Sequence, residues 1–252
     1  MAIKKKQMYT PKVSIITISK DDPDGLAKTL ASINSQTFKD YEHILVLAGR
    51  SLELKLPVNN RQKILIDVES GISNALNAGV CATKGEWVQF LNGGDFFSEP
   101  DSLHYMISAG VSDVEMVCAF AKVLQRSFTI PRRNLRPGRD NFIYASHQAS
   151  LYRRRLFTKF GLFSKEIRIH MDLEWLTRLP KNLPYVFLDL EAIHFDSNGV
   201  SSTNVFASSI EEFYILIKTQ RFKHLALTII FLKLPFRLIR REYHRFSKYL
   251  II

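Results

Sequence analysis

One stretch, residues 69–97, constrains the fold of this chain more than any other. Apolar and small residues recur at helical spacing over residues 71–82, which predicts a short amphipathic helix. Residues 87–91 then form a compact apolar run, a pattern typical of a mostly buried strand. The segment Asn-Gly-Gly-Asp at 92–95 stands where that strand should end. The stretch therefore predicts a helix, a buried strand and an acidic turn in succession.

The acidic turn has two interpretations. In an open α/β sheet, ligands bind where strands end in such turns, and two glycines let the backbone approach a bulky anion closely. Asp95 supplies an oxygen ligand suited to magnesium or manganese. Asn-Gly between apolar flanks is equally a signal for a β-hairpin. The local pattern leaves both interpretations open.

The residues before this stretch predict a parallel α/β unit. A β-branched run at residues 13–18 indicates a buried first strand, and a helical pattern follows at 26–33. Further strands are predicted at 44–47 and 64–68. Strand, helix and strand in this order place the connecting loops at one edge of a sheet. Later in the chain, strands are predicted at 114–123 and 185–190, and helices at 100–109, 169–179 and 208–223.

The net charge of +11 is concentrated in the C-terminal tail. Residues 218–252 hold nine Lys or Arg and one acid, so +8 of the charge lies there. Leu, Ile and Phe alternate with these basic residues, which predicts a helix in contact with an anionic membrane. A nucleic-acid surface is the alternative, and the density of large aliphatic residues argues against it. Contact between copies in a homo-oligomer stays open.

Cysteine content and the N-terminus indicate a cytoplasmic protein. Cys81 and Cys118 both have apolar neighbours in the sequence, which predicts two buried thiols in a reducing compartment. The N-terminal ten residues, MAIKKKQMYT, lack the apolar segment of a signal peptide. No apolar run reaches the roughly 20 residues that a spanning helix needs. We therefore expect a cytoplasmic protein, peripheral on the inner face of the plasma membrane.

Several motifs in the right order resemble family 2 nucleotide-sugar glycosyltransferases. These are PKVSIITIS, ESGISNALNAG and ATKGEWVQFLNGGD, and the similarity spans roughly residues 11–205. The resemblance implies a Rossmann-like GT-A domain over residues 1–207, with a mixed, mainly parallel sheet flanked by helices. Residues 208–252 would add a basic amphipathic helical tail.

The resemblance also implies residues that bind a nucleoside diphosphate-sugar, with UDP as the expected nucleotide, through Mn²⁺ or Mg²⁺. Asp95 would hold the metal ion, with His194 as a second ligand. The implied donor-binding residues are Ser19, Glu69, Gly71, Asn74, Asn77, Asn92 and Asp95. Glu69 could instead favour the start of a helix through its dipole, and the two helical asparagines could be solvated.

Several positions depart from the family pattern. The second strand usually ends in aspartates, where this chain has Leu47 and Ala48, so nucleotide recognition must differ there or donor binding is weakened. Asn92 stands where an aspartate often begins the metal-binding turn. Met171 replaces the first acid of the catalytic motif. A relative that binds nucleotide or acceptor without catalysing transfer is therefore an alternative.

The segment IHMDLEWLTRL at 169–179 is similar to the acidic motif that opens a helix in this family. The resemblance makes Asp172 the general base, since a sugar hydroxyl needs a carboxylate to take its proton. His147, Glu174 and Arg178 would line the acceptor site. Asp172 could instead be a helix N-cap, and His147 a structural histidine.

These residues together imply an inverting glycosyltransferase. It would move a hexose to a lipid-linked or oligosaccharide acceptor in the assembly of a bacterial surface polysaccharide. A basic loop at residues 126–140 could help to neutralise phosphates near the acceptor.

Overall fold

The structure is a computed structural model that describes residues 10–55, 60–66, 69–123, 145–196 and 205–218. The predicted basic loop at 126–140 and the tail beyond 218 lie outside the described residues. No helix in the described part combines the length and apolar character needed to cross a membrane.

The N-terminal half forms the predicted parallel unit. Strand β1 lies between β2 and β4 and is parallel to both, and β3 extends the sheet beyond β2. The elements are β1 (Val13–Lys20), α1 (Pro23–Ser35), β2 (Tyr41–Ala48), a short 3-10 helix (Gly49–Glu53), β3 (Gln62–Leu65), α2 (Ile72–Ala82) and β4 (Trp87–Phe90). The third strand thus begins two residues earlier than predicted.

The second half completes an eight-stranded sheet of order β3-β2-β1-β4-β7-β6-β8-β5. Four strand pairs are parallel and three are antiparallel, which confirms the predicted mixed, mainly parallel sheet. The added elements are β5 (Phe96–Phe97), α3 (Ser102–Ser108), β6 (Met116–Val123), β7 (Ser150–Arg153), α4 (Arg155–Phe160), α5 (Met171–Arg178), β8 (Tyr185–Phe195) and α6 (Val205–Lys218).

Both faces of the central strands are buried, as their nearly continuous apolar sequences predict. Ile16 and Phe90 pack into one layer, which also receives Trp175 from α5 and Leu216 from α6. Trp87, on the opposite face of β4, belongs to the second layer with β6 and α3. Helix α6 begins at Val205, before the predicted domain boundary at 207, and its Leu216 packs into the core of the domain.

The structure settles two open points. Strand β5 pairs with β8 and not with β4, so the β-hairpin interpretation of residues 92–95 is wrong. Cys118 is buried as predicted, and burial raises the pKa of its thiol to about 12. The prediction for Cys81 is wrong, because the last turn of α2 leaves this free thiol exposed.

Candidate active site

The turn at 92–95 is fixed by the two elements beneath it. Its Gly93 N–H donates to the carbonyl of Ile18 on β1 at 3.0 Å, so the chain follows β1 beyond the end of β4. From α1, the fully buried Thr29 Oγ1 accepts the Gly94 N–H at 3.0 Å and lies 2.7 Å from the Asp95 carbonyl. One hydroxyl therefore holds both halves of the turn.

The sequence analysis assigned no functional role to Thr29. A signal was present, because Thr29 stands among Leu26, Leu30 and Ile33 on the apolar face of its helix. A polar residue on a buried face needs a hydrogen-bond partner there. The partners belong to a turn more than 60 residues away, and the sequence alone does not identify them.

Asp95 is buried, with 2% of its surface exposed. Its Oδ1 accepts the Asp196 N–H at 2.9 Å, whereas Oδ2 finds no hydrogen-bond partner among the residues that the structure describes. Burial raises the pKa of this carboxyl to about 8, and the negative charge of Asp196 acts in the same direction. A cation at Oδ2 would supply the missing partner and favour the ionised form.

Asn92 belongs to the same turn as Asp95, and Asp196 donates its N–H to Asp95 Oδ1; both carry a side-chain oxygen. The buried Asn92 Oδ1 has no partner within the described ranges. Gly94, at φ 94°, brings the backbone so close to Asp196 that an added Cβ would lie 3.2 Å from its Oδ2. Carboxylate and amide oxygens are the ligands that Mg²⁺ and Mn²⁺ prefer. The three side chains fit such an ion, although no trio of His, Cys, Asp or Glu in the described part forms a metal cluster.

The structure does not bring His194 to Asp95. His194 lies directly opposite Phe96 in the β5–β8 pair, and the two rings pack edge to face with centroids 4.9 Å apart. Its pKa is lowered by burial and by Lys122, and Glu99 opposes this shift. The antiparallel pairing thus engages the imidazole in a cross-strand contact, and Asp196 contacts Asp95 through its N–H; the metal role of His194 stays a prediction.

Ser19 lies next to the acidic turn, as its predicted donor role requires. Its hydroxyl is 2.8 Å from that of Ser51, and a Cβ at Gly93 would approach Ser19 Oγ to 2.8 Å. Ser51 was not predicted. It belongs to the 3-10 helix that follows β2 and also accepts the Asp22 N–H at 3.1 Å.

The end of β2 confirms that the family's aspartates are absent from this edge. Leu47 is buried and Ala48 is exposed. Polar groups come instead from the neighbouring loops, where the Arg50 N–H donates to Asp21 Oδ1 at 3.0 Å. The Arg50 guanidinium also donates to the Asp21 carbonyl at 2.8 Å. Asp21 and Arg50 thus bring a carboxylate and a guanidinium to this edge.

Side chains of α2 bind the segment that precedes α5. Asn77 Nδ2 donates to the Phe163 carbonyl at 2.9 Å, and Asn77 Oδ1 accepts the Phe163 N–H at 2.9 Å. One N–H and one lone pair of its amide are thus used within the fold, and its predicted donor role stays a prediction. Ser73 Oγ donates to the Ile167 carbonyl at 3.1 Å. Glu69 pairs with Lys165 at 2.7 Å on the surface, and this bond lowers its pKa.

Gly71 and Asn74 keep features that suit donor binding. Gly71 precedes α2 with φ 115°, a conformation that favours glycine, and an added Cβ would meet little besides the Asn74 amide. Asn74 Nδ2 donates to the Ser70 carbonyl at 2.8 Å. Its buried Oδ1 lacks a partner in the described part of the chain, so this oxygen can accept a bond from a ligand.

Asp172 lies in the first turn of α5, and the charge of its carboxylate influences the pKa of His147. The N-cap of α5 is His170, so the N-cap alternative for Asp172 is wrong. Asp172 is partly buried, and its Oδ1 accepts the Leu173 N–H at 2.8 Å. The negative charge of Asp172 raises the pKa of His147 against a larger lowering by burial.

His147 connects Asp172 with the end of β4. Its buried ring stacks on Phe90, the last residue of that strand, with centroids 4.3 Å apart. Nδ1 is 3.4 Å from the Tyr152 hydroxyl, and Nε2 has no partner among the described residues. The acidic turn follows β4 directly, so His147 packs at the strand end that leads into this turn.

Glu174 and Arg178 are paired with each other. The guanidinium makes two bonds to the Glu174 carboxylate, one of them 2.9 Å from Nε to Oε1, and Nη1 donates to the Leu162 carbonyl at 2.7 Å. Spacing of four residues on one helix favours this pair. These contacts hold α5 on residues 160–162, and the predicted acceptor role of both residues stays a prediction. Met171 is buried in the core.

The fold and these motifs define a glycosyltransferase. Residues 14–173 match the family Glycosyl transferase family 2, which is more than half of the chain. The chain therefore belongs to glycosyl transferase family 2, and the resemblance seen in the motifs is confirmed.

Curated relatives carry the same designation. An uncharacterized glycosyltransferase of Mycobacterium tuberculosis is 26% identical over 208 residues, covering 76% of this chain and 78% of the relative. A PGL/p-HBAD biosynthesis glycosyltransferase of Mycobacterium bovis is 29% identical over 217 residues, covering 79% and 82%.

Solved structures show the same fold at low sequence identity. The S. aureus TarS 1-349 structure in complex with UDP-GlcNAc gives a TM-score of 0.65 at 15% identity, covering 84% of this chain and 67% of that one. The mannosyltransferase PcManGT from Pyrobaculum calidifontis, in complex with GDP-Man and Mn²⁺, gives 0.62 at 14% identity, covering 84% and 64%. The chain spans about two thirds of the length of these structures. The likeness confirms the GT-A-like fold.

Proposed function

We propose that the chain is an inverting transferase that moves a hexose from a nucleoside diphosphate-sugar, with UDP as the expected nucleotide, to a lipid-linked or oligosaccharide acceptor. The observation that carries this proposal is the unpartnered, buried Oδ2 of Asp95 at the carboxyl end of β4. Two structures with this fold are complexes with UDP-GlcNAc or with GDP-Man and Mn²⁺, which supports the donor class.

Asp95, Asn92 and Asp196 are the side chains that would hold Mn²⁺ or Mg²⁺. A bound divalent cation offsets the negative charge that develops on the departing diphosphate. The residues of the chain contribute by positioning the carboxylate of Asp95. Thr29 holds the carbonyl of Asp95 and the N–H of Gly94, and this orients the carboxylate before any ligand arrives.

Asp172 is the proposed general base. Its carboxylate takes the proton of the acceptor hydroxyl as that oxygen bonds to the anomeric carbon, while the bond from that carbon to the diphosphate breaks on the opposite face. The displacement inverts the anomeric configuration. The charge of Asp172 acts on His147, whose buried Nε2 has no partner among the described residues and would hydrogen-bond the acceptor in this proposal.

A donor panel tests the proposal. UDP-glucose, UDP-galactose, UDP-N-acetylglucosamine and GDP-mannose are each supplied with Mn²⁺ and a polyprenyl-linked lipid fraction, and release of nucleoside diphosphate is measured. We expect acceptor-dependent release from one donor, with Asp172→Asn lowering transfer at least about 10²-fold and leaving donor affinity nearly unchanged. Asp189→Asn makes the same chemical change at an exposed position of β8 and should retain full activity. Undiminished transfer by Asp172→Asn would contradict the assigned base.

We also propose that the C-terminal region contacts an anionic membrane from the cytoplasmic side. Large apolar residues on the outer face of α6 are 45–55% exposed: Phe206, Ile210, Tyr214 and Ile217. The chain then continues into the basic, apolar residues 218–252. An exposed apolar stripe followed by basic residues suits the interface of an anionic bilayer.

Co-sedimentation decides among the possible partners of this region. The protein should sediment with vesicles of anionic lipid and not with neutral ones, and its binding to duplex DNA at matched salt should be much weaker. Light scattering without lipid measures self-association. Preferential DNA binding, or dimerisation that buries the stripe and blocks vesicle binding, would contradict the membrane proposal.

A further inference from the structure

The inner face of α6 binds the backbone that leads into α5. The Glu211 carboxylate accepts three successive N–H groups: those of Arg168 and Ile169 at 2.8 Å and that of His170 at 2.7 Å. Ser208, one turn earlier on α6, places its hydroxyl 2.8 Å from His170 Nε2. Two residues of α6 thus hold the N-cap of α5 and the two residues before it.

This arrangement fixes the backbone strongly. Successive N–H groups that converge on one point form a concavity suited to an anion, and bonds to a carboxylate are stronger than bonds between neutral groups. From the opposite side, the buried Ser73 of α2 donates to the carbonyl of Ile167 at 3.1 Å. Residues 167–170 are therefore held between α2 and α6.

Asp172 follows this held segment by two residues. Its side-chain direction depends on where α5 begins and on the angle at which the chain enters the helix. We infer that Glu211 is a positioning residue that fixes the carboxylate of Asp172 for proton transfer; the inference rests on the proposed function. Glu211 acts through the backbone of 168–170 and touches no substrate.

The alternative is that Glu211 only docks α6 on the domain. The two roles differ in kinetics, because misplacing a base lowers kcat without changing how the donor binds. Displacements of about 1 Å at a reacting group cost about a hundredfold in rate. We therefore expect Glu211→Gln, which keeps the shape but removes the charge, to lower kcat about ten- to a hundredfold. The donor KM should change less than about twofold, because the Asp95 turn is held by other elements.

Glu166→Gln is the matched control. It makes the same chemical change in the same segment, at an exposed side chain. Its kcat should equal that of the wild type. Hydrogen exchange followed by mass spectrometry should show faster exchange over residues 168–173 in Glu211→Gln and unchanged exchange in β4. Unchanged kcat in a Glu211→Gln protein that melts cooperatively would overturn the inference.

A double variant separates positioning from docking. If Glu211 acts through Asp172, adding Glu211→Gln to Asp172→Asn should cause no further loss in kcat, whereas independent effects would multiply. If Glu211→Gln does not fold, Ser208→Ala, which removes only the His170 contact, is tested in the same two ways. Multiplying losses in the double variant would overturn the inference. Failure of the proposed function is distinct, because the wild type would then release no nucleoside diphosphate from any donor, whereas failure of the assigned base would leave Asp172→Asn at the wild-type rate.

Discussion

The two ends of the candidate site are held in place in different ways. The acidic turn after β4 rests on β1 and α1, elements of one parallel unit, and a single hydroxyl of Thr29 joins its halves. The start of α5 is held by α2 on one side and α6 on the other, through contacts 41–43 and 94 residues apart in sequence. Substitutions in α6 should therefore change catalysis through α5, whereas donor binding should respond to changes in the elements that hold the turn.

The largest effect should come from Asp95→Asn. The amide keeps the shape of the side chain but removes the charge that a cation needs. We expect a loss of about 10³-fold in transfer, equivalent to about 4 kcal/mol, together with loss of Mn²⁺-dependent binding of UDP measured by calorimetry. Asp189→Asn, at an exposed site, is the control. Mn²⁺-dependent UDP binding that survives in Asp95→Asn would show that the ion is held elsewhere.

Thr29→Val tests how the turn is held. The substitution keeps the volume of the side chain and removes the hydroxyl, which leaves the Gly94 N–H without its buried acceptor. We expect a loss of about 2 kcal/mol in the free energy of unfolding by urea, with weaker UDP binding and unchanged exchange of amides in α5. The exposed Thr158→Val should cost less than about 0.5 kcal/mol. Faster amide exchange in α5, together with unchanged UDP binding, would contradict the conclusion that different contacts hold the two ends of the site.

Without a cation, the stability of the fold should fall as the pH rises from about 4 to about 8. Burial raises the pKa of Asp95 to about 8 from its ordinary 3.8, so the folded state keeps a proton that the unfolded chain has already released. A raised pKa stabilises the fold below the unfolded value, and this stabilisation is lost as the pH rises through the folded value. The slope should reach about 1.4 kcal/mol per pH unit.

Urea unfolding in the presence of EDTA measures this slope for the wild type and for Asp95→Asn. The variant should lose the contribution, and added Mn²⁺ should restore stability to the wild type at the upper end of the range. Equal slopes in the two proteins would show that Asp95 is not the titrating group.

The smallest effect concerns the pair that holds α5 on residues 160–162. Glu174→Gln removes one charge from a pair whose side chains are 24–28% exposed, and it should cost about 1 kcal/mol in unfolding free energy. Glu69→Gln, in the exposed pair with Lys165, should leave the melting temperature unchanged. Equal effects at the two pairs would mean that the Glu174–Arg178 contacts do not fix α5.

The part of the site that could be predicted is the part built from neighbouring residues. The helix, strand and turn between 72 and 95 follow from apolar periodicity and from glycine and asparagine at a strand end. The same pattern also allowed a hairpin, which the pairing of β5 with β8 excludes. Local pattern thus predicts the elements but not which strands pair.

Contacts between residues far apart in the chain could not be predicted from the sequence. The predicted donor-binding Asn77 also binds both backbone groups of Phe163, 86 residues away. His194, a predicted metal ligand, lies opposite Phe96 in the register of β8, and Asp196 contacts Asp95 through its N–H. The sequence gives no indication of the role of Glu211, because carboxylates are common on the surfaces of helices. Such roles depend on tertiary contacts that periodicity does not encode.

The most direct test of the account is a crystal structure of the chain with UDP and Mn²⁺, with the ion located by its anomalous scattering. We expect the ion at Asp95 Oδ2, beside Asp196, with the diphosphate bound to the ion. The carboxylate of Asp172 should face the same cleft. An ion bound away from Asp95, or an Asp172 side chain directed to a different surface from the diphosphate, would contradict the account.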